Sequence, residues 1–220
     1  MRVNKELYRR PLVIAVYEPR WFMKVLRILE DREIPYRLYY DPETVPPYSI
    51  LYTDNEYFVN EMSSRSDVEI HYDPGDTCRG LEEAILAAQN KSRYRVVTIG
   101  IDPGPNPYYV VIGDGELLEH GYIMDKSIDE VILWATACYP AEKRIVRIGG
   151  GHNGLEIAAE IAGEIEDVVV EIVDEKETTP KNRGGLNNSE HTPPGIRPFR
   201  NKDAYAALRI AYRKGIRILG

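Results

Sequence analysis

The 220-residue chain is poor in sulfur and in two of the three aromatic types, with two Cys, four Met, three Phe and two Trp. Two cysteines cannot build a disulfide scaffold, and Cys78 and Cys138 lack any metal-ligand spacing. They read as two packed thiols, with a bridge between them left for the structure to decide. No apolar run approaches the ~18 to 20 residues that a bilayer span needs. The start, Met1-Arg2-Val3-Asn4-Lys5-Glu6, has no apolar stretch of signal-peptide type, so the expectation is a cytosolic chain with no membrane partner. A hydrophobic share of 43% and a charged share of 29% exclude disorder and collagen-like repeats, and leave room for one large domain or two small ones. What is abundant is tyrosine, sixteen of them, among dense Glu, Arg and Lys. That composition resembles heat-adapted, archaeal proteins.

The formal charge of −7 argues at first against a nucleic-acid partner. By region the balance is −4 over 1–92, −10 over 93–175 and +7 over 176–220. A carboxylate-rich centre therefore precedes a basic strip, a pattern that solvated surface charge also produces.

The first segment reads as a small α/β unit. Leu12 to Val16 is a buried-strand run, and Trp21, Val25, Ile28 and Leu29 recur at helical spacing up to Asp31. Strands follow at Tyr36–Tyr40, Tyr48–Tyr52 and Val68–Tyr72, and a helix carrying Leu81, Ala84, Ile85 and Ala88 ends the unit. The polar stretch Gln89-Asn90-Lys91-Ser92-Arg93 sets the seam, giving domains 1–92 and 93–220. Beyond it, strands at 95–101, 108–112 and 117–123 form an antiparallel meander, its second turn marked by Gly113-Asp114-Gly115. A helix to Cys138, a strand at 144–148, a helix at 155–165, a strand at 168–173 and a helix at 204–212 complete the chain. The order βββαβαβα is that of a mixed five-stranded sheet of ribonuclease H-like type with flanking helices, although order alone leaves a doubly wound sheet possible and the motifs must decide.

Three acids stand where chemistry is expected. Asp102 ends an apolar strand in Gly100-Ile101-Asp102-Pro103-Gly104, Asp174-Glu175 follow another strand, and Asp203 precedes the last helix. Alone, Asp102 also reads as a turn residue and Asp203 as an N-cap. Together the acids would repel one another unless cations neutralised them, and hard oxygen ligands suit Mg²⁺ or Mn²⁺, the equipment of phosphodiester hydrolysis.

These motifs, with Val173-Asp174-Glu175-Lys176-Glu177-Thr178-Thr179 and Lys202-Asp203-Ala204-Tyr205-Ala206-Ala207, resemble signatures of the ribonuclease H-like superfamily, closest to RuvC-type Holliday-junction resolvases and YqgF-type nucleases. The resemblance spans about 94 to 215. It implies a metal-dependent nuclease acting on structured nucleic acid, DNA or RNA. Asp102, Glu175 and Asp203 would be catalytic and metal-binding, with Asp174 as substitute ligand. Lys176 stands where the YqgF-type pattern has Arg. Another departure is larger: the fourth strand of the fold ends not in an acid but in Gly149-Gly150-Gly151-His152-Asn153-Gly154.

That turn offers Gly150, Gly151, His152 and Asn153 to a phosphate, or is only a tight connection. It also resembles a phosphate loop of actin-like ATPases, which need two such domains, so an ATP-binding reading would require a homodimer. Between Thr179 and Asp203 a long aperiodic stretch supplies Lys181, Arg183, Arg197, Arg200 and Lys202 for nucleic-acid contact, unless it is a plain solvent loop. The alternative from another class is a non-catalytic nucleic-acid-binding or scaffold protein that keeps the fold. The role of the first segment is open.

Overall fold

A computed structural model describes residues 8–124, 126–151, 153–174 and 201–219. The chain packs as two units, Met1–Tyr94 with Cys138–Pro140, and Arg95–Ala137 with Ala141–Gly220.

In the first unit the elements run β1 (Leu12–Ala15), α1 (Pro19–Asp31), β2 (Arg37–Leu38), β3 (Ile50–Thr53), α2 (Glu56–Glu61), β4 (Glu69–Tyr72) and α3 (Cys78–Ala88). The strands pair in parallel in the order β2-β1-β3-β4. All four residues of β1 are buried because successive side chains enter different cores. Leu12 and Ile14 pack with Trp21, Val25 and Leu29 of α1 and with Leu81 and Ile85 of α3. Val13 and Ala15 pack with Val45, Leu51, Met62 and Val68 on the other face.

Glu18 starts α1 by accepting the Trp21 N–H at 2.6 Å, and Pro19 supplies a first residue whose missing N–H costs nothing there. Several polar groups buried in this unit are partnered. The Trp21 indole N–H donates to the Tyr52 hydroxyl at 2.8 Å, which donates to Asp73 at 2.9 Å. Glu82, 3% exposed, takes two guanidinium bonds from Arg32 at 2.6 and 3.1 Å and one from the Tyr94 hydroxyl. The helix α2 has no buried residue and was not expected from the sequence, because six residues show too little periodicity to be read.

Cys78 and Cys138 form a disulfide with their Cα atoms 5.3 Å apart, which corrects the expectation of two packed thiols. The cause is tertiary: Cys138–Pro140 pack with the first unit, although 60 residues separate the two cysteines.

The second unit holds β5 (Tyr94–Asp102), β6 (Tyr108–Gly113), β7 (Glu116–Tyr122), α4 (Ile128–Cys138), β8 (Ala141–Gly149), α5 (Gly154–Glu164), β9 (Val169–Val173), α6 (Lys202–Tyr212) and β10 (Ile216–Arg217). The β5-β6-β7 meander is antiparallel, and its tight turn needs positive φ at Asp114 and Gly115. β8 and β9 pair in parallel, and the sheet order is β10-β9-β8-β5-β6-β7. With its first three strands as a meander, the fourth beside the first and the fifth beside the fourth, this is an α/β sheet of ribonuclease H-like type. The five expected strands gain a sixth, β10, antiparallel to β9. Gly215 permits it, since a Cβ there would stand 2.5 Å from the Ile172 carbonyl oxygen.

Candidate active site at the carboxyl end of β5

Opposed residues of an antiparallel pair point to one face, and β5 pairs Gly100 with Val110 and Asp102 with Tyr108. Tyr108, Val110 and Ile112 pack against Ala204, Ala207, Leu208 and Ala211 of α6. Gly100 and Asp102 therefore face α6. Gly100 is required by that packing: a Cβ would lie 2.6 Å from both the Ala207 carbonyl oxygen and the Ala211 Cβ. The glycine of the Gly100–Asp102 motif thus lets the last helix lie directly on the strand whose end carries the acid.

Asp102 is half-buried, and its Oδ1 accepts the Gly104 N–H at 3.2 Å in a local turn. The turn reading of this residue is therefore correct as far as one oxygen goes. Asp203 is not the N-cap of α6. Asn201 takes that position, its side-chain oxygen accepting the Asp203 N–H at 2.9 Å. The Asp203 carboxylate instead accepts the Tyr122 hydroxyl at 3.3 Å, and the Asn201 amide donates to the same hydroxyl at 2.6 Å. Tyr122 is opposite Tyr108 across β6 and β7, so the register runs Asp102, Tyr108, Tyr122 along one end of the sheet, with Asp203 attached to its far member.

The rings of Tyr108 and Tyr122 meet edge to face at 4.8 Å, and the Tyr108 hydroxyl lies 2.6 Å from His120 Nδ1. Burial pushes the Tyr108 phenol up, and the nearby Glu119 and Asp203 carboxylates push it the same way. Tyr108, His120, Tyr122 and Asn201 were not singled out in the sequence. The visible signal was a tyrosine at the start of one strand and another at the end of the next, but it becomes a site only once the register is known.

Asp174, exposed after β9, has its carbonyl bonded by Arg213 at 3.3 Å. At the Gly149 turn, the Gly150 N–H donates to the Val173 carbonyl at 2.9 Å, and Gly154 must be glycine, because a Cβ would fall 1.8 Å from the Gly149 carbonyl oxygen. Asn153 takes the left-handed conformation at φ 58° and makes no side-chain cap bond. Gly151 follows Gly150 in the same turn, and Lys202 is the exposed first residue of α6. Glu175, His152, Lys181, Arg183, Arg197 and Arg200 lie outside the described residues. Among the described residues no three His, Cys, Asp or Glu side chains gather as a metal-binding group, Asp102, Asp174 and Asp203 included.

No family model and no curated protein matches the chain. Among solved structures it is similar to Marinitoga piezophila Argonaute in complex with 5′ OH guide RNA, at 11% identity and a TM-score of 0.28, covering 75% of this chain and 40% of that one. The Argonaute complex with guide RNA and target DNA gives 11% identity, a TM-score of 0.27, and coverage of 75% and 39%. The chain thus spans well under half of either Argonaute. No helix among the described residues is long and apolar enough to cross a membrane.

Proposed function

We propose that the second unit is a divalent-metal-dependent nuclease that hydrolyses phosphodiester bonds of structured nucleic acid. The observation that carries this reading is the placement of Asp102 and Asp203 on one face and at one end of the sheet, with Asn201 relieving Asp203 of the capping role. Carboxylate oxygens are the right donors for Mg²⁺ or Mn²⁺. Asp102 and Asp203 would hold the metal with Glu175, the third acid by sequence resemblance, and Asp174 beside it as the substitute. Bound there, the metal would supply charge neutralisation and an acidified water.

The chain's own part is positioning. The turn at Gly104 orients Asp102, the Tyr122 hydroxyl orients Asp203, and the close seat of α6 on Gly100 keeps the two acids in register. Lys202, exposed at the start of α6, would meet a phosphate, and Lys181, Arg183, Arg197 and Arg200 would extend that contact. The turn at Gly150, Gly151, His152 and Asn153 would approach the backbone from the β8 side.

Asp102→Asn should reduce cleavage of a panel of junction, duplex and single-stranded DNA and RNA by more than about a hundredfold in Mg²⁺, with binding retained. Unchanged metal-dependent cleavage by that variant would sink the assignment. A non-catalytic nucleic-acid-binding or scaffold role is favoured by one observation, the missing carboxylate where β8 ends in Gly149. Calorimetry with Mn²⁺ separates the two, because the enzyme requires binding that depends on Asp102 and Asp203.

A further inference from the structure

The first unit contains a pocket of about 330 Å³ at the carboxyl ends of β1 and β2, closed on one side by α2. Carboxyl ends of parallel strands are where open α/β sheets take ligands, and the volume is that of a small-molecule site. Its walls include Phe22, Tyr39, Tyr40, Tyr57 and Phe58, and Glu61 is the one charged residue that lines it among the described residues. No Lys, Arg or His among the described residues lines it.

The carboxylate is held in place. Glu61 Oε2 accepts the Tyr39 hydroxyl, and Oε1 accepts the Tyr57 hydroxyl at 3.2 Å. Each oxygen of an ionised carboxylate has two acceptor sites, so capacity remains for a ligand. Phe58 braces the two tyrosines, edge to face, at 5.2 Å from Tyr39 and 5.3 Å from Tyr57. Tyr40 and Tyr57 are 78% and 63% exposed, which leaves much of their surface open to an incoming group.

A fixed negative charge among electron-rich ring faces repels phosphate and attracts cations, by Coulomb and cation–π terms together. We propose that this pocket binds an organic cation, an alkylammonium or guanidinium head group on an apolar stem, with Glu61 as its counter-charge and the Tyr and Phe rings as its walls. The stem fits the apolar side chains of Ala15, which ends β1, and of Val16 just after it. Such a head group arrives either on a free polyamine or on a Lys or Arg side chain of a protein. The proposal is independent of the nuclease reading, since it concerns the first unit alone and needs neither nucleic acid nor metal.

Calorimetry on the full chain, without nucleic acid, tests it with spermidine for the first source and N-acetyl-arginine amide for the second. N-acetyl-citrulline amide serves as the uncharged isostere and guanosine as a stacking ligand without charge. The expected result is one-site binding of at least one cation, weakened tenfold or more by Glu61→Gln and by the change from arginine to citrulline. Whichever cation binds more tightly identifies the source. Tyr57→Leu keeps the test open if Glu61→Gln fails to fold, because Tyr57 is exposed, and should weaken the cation severalfold. The proposal is overturned if citrulline amide or guanosine binds as tightly as arginine amide. It is equally overturned if neither cation binds, or if the cations bind at many sites regardless of Glu61 and Tyr57.

Discussion

Asp203 is available for work outside its own helix because Asn201, two residues earlier, satisfies the first turn of α6. Its orientation then depends on Tyr122, whose hydroxyl is shared with the Asn201 amide. A hydrogen bond to a charged group is worth about 1.5 to 3 kcal/mol, or about tenfold or more in rate where it positions a catalytic acid. Tyr122→Phe should therefore lower single-turnover cleavage about tenfold while leaving nucleic-acid affinity and melting temperature unchanged, since the ring is half-exposed. An unaltered rate would remove Tyr122 from the positioning of Asp203. None of this was legible at Asp203 itself, where Asn201 and Asp203 are both good capping residues and only the coordinates distinguish them.

Between elements, the decisive contact is α6 on β5. Gly100→Ala puts a methyl group 2.6 Å from the α6 backbone and from the Ala211 side chain, and α6 must move to admit it. Overpacking of this kind costs about 1 to 3 kcal/mol. Because α6 carries Asp203, cleavage should fall further than the stability loss alone would explain, as urea titration and kinetics on one preparation would show. Gly163, in α5, is the control: a Cβ there meets nothing within 4 Å. Gly163→Ala should raise stability by up to about 1 kcal/mol through helix propensity, with cleavage unchanged. At this scale α1 was legible, since Trp21, Val25 and Leu29 recur at helical spacing and all are buried. The elements α2 and β10 were not, since six and two residues carry no usable period.

For the whole molecule, the tyrosine excess has a thermodynamic consequence. Burial pushes the Tyr109 phenol up to about 12, and moves Tyr39, Tyr52 and Tyr94 in the same direction. The unfolded chain releases these protons near pH 10, whereas the fold keeps them. Stability is thus fully present below about pH 10 and is lost as pH rises toward 12, because the unfolded state alone gains from ionisation. Urea midpoints measured from pH 8 to 12 should stay level and then fall. Tyr109→Phe should shallow the fall, and an identical slope would show that Tyr109 is not held neutral by burial.

Composition and periodicity determined most of the strands and helices and the α/β class, because local residue spacing decides which face of an element is apolar. The −10 and +7 blocks were likewise visible from the chain alone. Tertiary structure decided which residues meet. The β5-β6-β7 register aligned Asp102, Tyr108 and Tyr122, the packing of Cys138–Pro140 with the first unit joined two distant cysteines, and the ends of β1 and β2 with α2 enclosed Glu61 in aromatic rings. Such encounters join positions far apart in the sequence, and spacing along a chain carries no record of strand register or of which surfaces close on one another.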